Sequence, residues 1–196
     1  MSLDSRPSFR HPKVIGVSLV VAPLLMLGGD AIALWGGQEL GLWSGVLLFL
    51  SVYCFAGVVL GLHTLAGDRI GALAGALLAL FGCFMAAAMS GFDRAAWSMR
   101  QHGIPSDSIQ EVTAEPAVFL LTRPPGITFP VGLILLTIYV IKAGHLTRLQ
   151  GAILILGIVL FPVGRVFAGP VVNVPSDAIM LAVLGALGFR IFRISP

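Results

Sequence analysis

The sequence predicts an all-α integral membrane protein: a bundle of six transmembrane helices, with a short helical cap on the outer side between helices 3 and 4. Composition, the length of the apolar stretches and the placement of basic residues predict it together. Of 196 residues, 57% are hydrophobic and 11% are charged, whereas a soluble domain carries about 25% charged residues. With a mean hydropathy of +0.98, the chain needs lipid as part of its solvent.

The predicted helices are six apolar stretches, each close to the ~20 residues that cross a hydrocarbon core. They are residues 14–35, 42–62, 70–91, 126–141, 149–168 and 176–192. Together they form one polytopic membrane domain over residues 1–196. The first stretch follows basic residues as a signal peptide does, and Ala31-Ile32-Ala33 fits a cleavage pattern. Because it exceeds the ~7–15 apolar residues of a cleaved segment, we interpret it as a retained helix.

The basic residues predict the orientation. With the N-terminus in the cytoplasm, eight of the twelve Lys and Arg residues fall on the cytoplasmic side. These eight are Arg6, Arg10, Lys13, Arg69, Lys142, Arg148, Arg190 and Arg193. Such an excess follows the positive-inside rule, so both termini are predicted to be cytoplasmic, in a bacterial-type inner membrane. The net charge of +3 is then explained by anionic lipid headgroups rather than by nucleic acid.

Residues 93–125 form the predicted outer cap. Asp93 to Gln101 is expected to be a short helix on the membrane surface, and Ser106 resembles the start of a second one. That second helix should reach Pro116. The apolar run 117–121 is too short to span, so it is expected to enter the interface or to cover the bundle.

Three charged residues are predicted to lie at similar depth near the outer boundary: Asp30, Arg165 and Asp177. An unpaired charge there costs on the order of several kcal/mol, and an arginine between two carboxylates would relieve it. Three interpretations stay open: an outward-facing binding pocket, a structural clamp, or separate roles in which Asp177 caps helix 6 and Arg165 reaches headgroups. The predicted rim of the pocket comprises Trp35, Trp43, Asp93, Trp97 and Glu115.

Several chemistries lack their motifs. No His-Glu-x-x-His run and no cysteine pair with metal-ligand spacing occurs, so no metal site is predicted. The histidines lie at helix ends or in loops, which excludes the paired axial ligands of a membrane haem. They are His11, His63, His102 and His145. No cofactor is predicted, and no catalytic residue is identified.

Three function classes remain. The first is a binding or accessory subunit that packs with another membrane protein or holds a lipid-like ligand; the Gly71-x-x-x-Gly75 face of helix 3 suits close packing. The second is a small transporter that uses the charged cluster, favoured by prolines such as Pro23 and Pro162 within helices. The third is an enzyme acting on a lipid at the outer face, disfavoured because three polar residues are few for such chemistry.

Overall fold

The computed structural model describes residues 12–35 and 41–194, with the backbone alone at 41, 93–94, 109–110, 113–114, 117–126, 166 and 194. Within these ranges the chain is helical and contains no strand. The helices are α1 (Pro12–Trp35), α2 (Gly41–Ala66), α3 (Ile70–Gln101), α4 (Ser106–Ala114), α5 (Pro116–Lys142), α6 (Arg148–Val163) and α7 (Pro170–Ile194). A π-helical segment, Gly164–Ala168, joins α6 to α7.

Four of the described helices are long and apolar enough to cross a membrane: α1, α2, α3 and α7. Two shorter apolar helical stretches are Ile127–Lys142, within α5, and Arg148–Val163. The structure therefore confirms the prediction of an all-helical chain, over the described residues, with four helices suited to crossing a membrane.

The six helices other than α4 form a closed ring. Each packs against its neighbour in chain order, α3 is followed by α5, and α7 closes the ring against α1. Helix α2 also touches α5 across the ring, and the interior is filled by large apolar side chains such as Phe55, Leu62, Leu136 and Met180. Large apolar side chains on the outer surface, such as Phe81, remain exposed, as expected where lipid is the solvent.

Glycines allow α3 and α5 to approach closely. A Cβ atom at Gly132 of α5 would overlap the backbone of Ala79, and one at Gly82 of α3 would overlap Phe129. A Cβ atom at Gly75 of α3 would lie only 3.1 Å from the Gly132 carbonyl oxygen. The small-residue face of α3 therefore packs inside the bundle, in the manner of membrane helices with small residues at every fourth position.

Two boundaries differ from the sequence prediction on the side of the expected cap. Helix α3 continues through Asp93 to Gln101 instead of ending at residue 91, so no separate surface helix forms there. Helix α5 begins at Pro116, ten residues before the expected start at 126. A helix satisfies its own backbone hydrogen bonds on both sides of a membrane boundary, so polar side chains need not end it. Proline also suits the first turn in which Pro116 lies.

Candidate functional site

Asp30 and Arg165 form an ion pair between α1 and the π segment. Arg165 Nη2 donates a hydrogen bond to Asp30 Oδ2 over 2.7 Å. The Asp30 side chain is 1% exposed, whereas that of Arg165 is 32% exposed. The charge-assisted hydrogen bond therefore stabilises the negative charge of the buried Asp30 carboxylate. The Arg165 guanidinium remains partly exposed.

The π segment sets the position of Arg165. Pro162 has no backbone N–H to donate within α6, which interrupts the regular hydrogen-bond ladder just before Gly164. Gly169 N then donates to the Gly164 carbonyl over 2.7 Å, five residues back, and Gly169 ends the segment with φ of 65°. Such π turns occur frequently at functional sites.

Three aromatic rings in successive contact connect the Arg165 guanidinium to the core of the bundle. Arg165 Cζ lies 5.2 Å from the ring centroid of Phe161, within the range of a cation–π contact. Phe161 meets Phe129 of α5 with centroids 5.8 Å apart, and Phe129 meets Phe55 of α2 at 5.3 Å. Arg165 is thus held by Asp30 on one side and by packed rings on the other.

Asp177 lies beside this ion pair but does not share its hydrogen bond. Its side chain is fully buried, and neither carboxylate oxygen meets a donor among the described residues. Asp177 is close enough to interact electrostatically with both Asp30 and Arg165. It faces the Asp30 carboxyl group, and two carboxyl groups can hydrogen-bond to each other only when one of them holds a proton.

The sequence pattern favours Ser176 or Asp177 as the start of a helix, and the structure shows that this capping interpretation is wrong. Helix α7 begins at Pro170, so Asp177 lies about two turns inside it. Gly169 and Pro170 look like a loop in the sequence, yet a proline at the first helical position is favourable. The Asp177 carboxylate therefore faces the interior of the bundle rather than the N–H groups of a helix start.

A polar face of α7 extends the cluster beyond the residues that the sequence singles out. Ser176 Oγ donates to the Gly157 carbonyl of α6 over 2.8 Å. Asn173, one turn before Asp177, is 2% exposed, and its Oδ1 meets no donor among the described residues. That oxygen lies directly against Gly164, where a Cβ atom would overlap it. The four-residue spacing of Asn173 and Asp177 is the signal by which the sequence could have revealed this face.

The structure brings Asp30, Arg165 and Asp177 together, but it does not join the predicted rim to them. Trp35 and Trp43 are 74% and 58% exposed, Trp97 is half-buried on the extension of α3, and Glu115 is exposed. Within the described part of the chain, these four form no hydrogen bond, ion pair or ring contact with the cluster. The side chain of Asp93 lies outside the described residues.

Other titratable groups lie apart from the cluster. Over the described ranges, no group of three or more His, Cys, Asp or Glu side chains is arranged to hold a metal ion. His145, in the connection between α5 and α6, is partly buried, which lowers its pKa below the usual value for histidine. Cys54 and Cys83 are free thiols within helices α2 and α3.

The chain matches no protein-family model, no curated protein and no solved structure. The functional conclusion therefore depends on the chemistry of the cluster and on its place in the bundle.

Proposed function

We propose that the chain is a six-span membrane protein of a bacterial-type cytoplasmic membrane. The packing supports six spans, because α5 and α6 together fill the part of the ring between α3 and α7, which are both long enough to cross. Residues 148–168, α6 with the π segment, extend about 30 Å at ~1.5 Å per residue, which equals the thickness of a typical hydrocarbon core.

Charge at the two ends of the bundle supports cytoplasmic termini and an outer cap. The end where α1 begins and α7 finishes carries exposed basic residues that favour the cytoplasmic face and anionic lipids. They are Lys13, Arg69, Lys142, Arg148, Arg190 and Arg193. Around α4, at the other end, the exposed side chains include Asp107, Glu111 and Glu115. The cap in this proposal comprises the end of α3, α4 and the start of α5.

Within that membrane protein, we propose that the Asp30–Arg165–Asp177 cluster is a binding site. The observation that carries this proposal is the Asp177 carboxylate, which is fully buried and has no donor among the described residues. Buried polar groups in native proteins are nearly all hydrogen-bonded, so an exception requires an explanation. Ionisable residues inside a membrane protein are rare, and each is by default a hypothesis of a functional site.

The chemistry of the cluster limits what it binds. Among the described residues, Arg165 donates its hydrogen bond to Asp30, which leaves the Asp177 oxygens as acceptors that face the site. Acceptors attract hydrogen-bond donors and positive charge, so the ligand is a cation or carries donor groups, as an amine-bearing lipid headgroup or a polar side chain of a partner does. A protein of this kind acts as a binding or accessory subunit in the membrane.

Transport of the bound species is the second candidate, and one observation favours it. A proline lies within or just before each element that supplies the cluster: Pro23 in α1, Pro162 in α6 just before the π segment, and Pro175 in α7. Interrupted helices near the membrane interior are common at the substrate and ion sites of carriers. Under this candidate, Asp30→Asn abolishes substrate flux and leaves the folded protein intact.

Native mass spectrometry of protein extracted gently from its own membrane tests the binding site. We expect the wild-type chain to carry a bound mass that Asp177→Asn loses, because the amide cannot supply the negative charge. Asp107→Asn in the exposed α4 is the matched control and should retain the mass. Asp177→Asn should also raise the free energy of unfolding by about 1 kcal/mol, since its amide can donate to a neighbouring acceptor.

The alternative, a structural clamp, gives a different pattern. A clamp predicts that Asp177→Asn lowers thermal stability and that no bound mass depends on Asp177. A polypeptide that remains bound to Asp177→Asn would identify an accessory subunit whose contact lies elsewhere, and would contradict the cluster as the binding site.

A further inference from the structure

We propose that Asp177 and Asn173 bind one monovalent cation, Na⁺, in competition with a proton on Asp177. This inference rests on the binding site proposed above and names the class of its ligand.

The oxygen atoms of the polar face of α7 are suited to a cation. Both Asp177 oxygens and Asn173 Oδ1 are buried and lack donors among the described residues. The two residues are four positions apart on α7, so their side chains lie on the same face, one turn from each other. Carboxylate and amide carbonyl oxygens are the hard ligands that non-transition cations prefer.

The balance of charge favours a single positive charge. Asp30 and Asp177 carry two negative charges when ionised, and Arg165 supplies one positive charge. One monovalent cation makes the cluster neutral, whereas a divalent ion would leave a positive excess inside the bundle. The described side chains also offer no third acidic, His or Cys ligand of the kind that holds a divalent metal.

The unpartnered oxygen of Asn173 favours a bound cation over a proton as the only occupant of the site. A proton shared between Asp30 and Asp177 satisfies the two carboxyl groups but gives Asn173 Oδ1 no partner. A cation between Asn173 and Asp177 satisfies both side chains at once. The Pro175 ring also removes the N–H that a regular helix would donate to the Val171 carbonyl, and carbonyls of interrupted helices serve as Na⁺ ligands in carriers.

Competition with protons follows from the ligand chemistry. A carboxylate binds a cation only when it is deprotonated, so cation binding releases a proton and weakens as the pH falls. The affinity for Na⁺ should therefore fall as the pH is lowered, over the pH range in which the protein stays folded.

Thermal unfolding of the purified full-length protein in detergent micelles tests the inference. Na⁺ is compared with N-methyl-D-glucamine at equal ionic strength over a series of pH values. At Na⁺ tenfold above its Kd, we expect Tm to rise by about 3 °C at neutral pH and the rise to shrink on acidification. Asp177→Asn should abolish the rise in Tm with Na⁺. Asn173→Leu should weaken the Na⁺ affinity about tenfold, as expected from loss of about one ligand interaction. The control Asp107→Asn should keep the wild-type rise in Tm.

Binding of radioactive Na⁺ to the wild-type protein gives a second readout that does not depend on any variant folding. Saturable binding that protons displace supports the inference. The inference is overturned if Tm is the same in the two salts at every pH and no Na⁺ binds. It is also overturned if Tm responds to pH alone, or if the Na⁺ response survives in Asp177→Asn. If Na⁺ fails while native mass spectrometry still shows another Asp177-dependent mass, the proposed function stands and only the cation is wrong.

Discussion

Arg165→Leu should lower the free energy of unfolding by about 3 kcal/mol, because it leaves the buried Asp30 carboxylate without its charged partner. Arg165 Nη2 holds the Asp30 carboxylate at 2.7 Å, and Asp177 lies beside it without a donor of its own among the described residues. Without the guanidinium, two carboxyl groups remain inside the bundle. Thermal unfolding in detergent micelles measures the loss.

Arg100→Leu is the control for this substitution. Arg100 is exposed on the extension of α3, so its replacement should change stability by no more than about 0.5 kcal/mol. The paired replacement Asp30→Leu with Arg165→Leu should recover most of the loss, because apolar residues can replace a buried ion pair without a stability cost. Equal stability of Arg165→Leu and Arg100→Leu would contradict the role assigned to the ion pair.

Gly132→Ala should destabilise the bundle by about 2–3 kcal/mol, the upper part of the range for overpacked interiors. A single methyl group there would overlap the backbone of Ala79 and the Gly75 carbonyl of α3. Backbone atoms cannot rotate away as a side chain can, so α3 and α5 have to separate. Unfolding of the purified variant and the yield of folded protein both report the change.

Gly91→Ala also replaces a glycine with alanine, but we expect it to stabilise the protein rather than to destabilise it. Beyond the neighbouring backbone of α3 itself, no atom of the described residues lies within 4 Å of a Cβ at Gly91, so alanine there should stabilise the helix by about 0.5 kcal/mol. If Gly132→Ala and Gly91→Ala had the same effect, close contact of α3 with α5 would be ruled out as the basis of their packing.

Much of the fold follows from elementary properties of the sequence. Apolar stretches of spanning length predict helices, and the depth of Asp30 on one helix and of Arg165 on another anticipates their approach. Helix ends are harder to predict, because an α-helix continues past the membrane boundary as long as its own hydrogen bonds persist. Asp93 therefore interrupts the apolar pattern of α3 without ending the helix.

Hydropathy does not predict the polar face of α7, and the four-residue spacing of Asn173 and Asp177 indicates it only where the segment is taken to be helical. Pro170 and Pro175 make the segment resemble a loop, which would place Asn173 in a turn and Asp177 at a cap, whereas both lie within one helix. The π segment has no simple periodic signature either, since it depends on Pro162 and on the positive φ of Gly169. Which carboxylate Arg165 pairs with depends on these local details, so only the structure establishes it.

In the proposed site, Arg165 pairs with Asp30 and leaves the Asp177 carboxylate for a ligand. Cryo-electron microscopy of the protein in lipid nanodiscs containing Na⁺ tests it most directly. We predict a guanidinium in contact with Asp30 alone and density for a bound species between the Asp177 and Asn173 oxygens. A guanidinium that bridges both carboxylates, with no density beside Asn173, would contradict the proposed binding site and make the cluster a structural clamp.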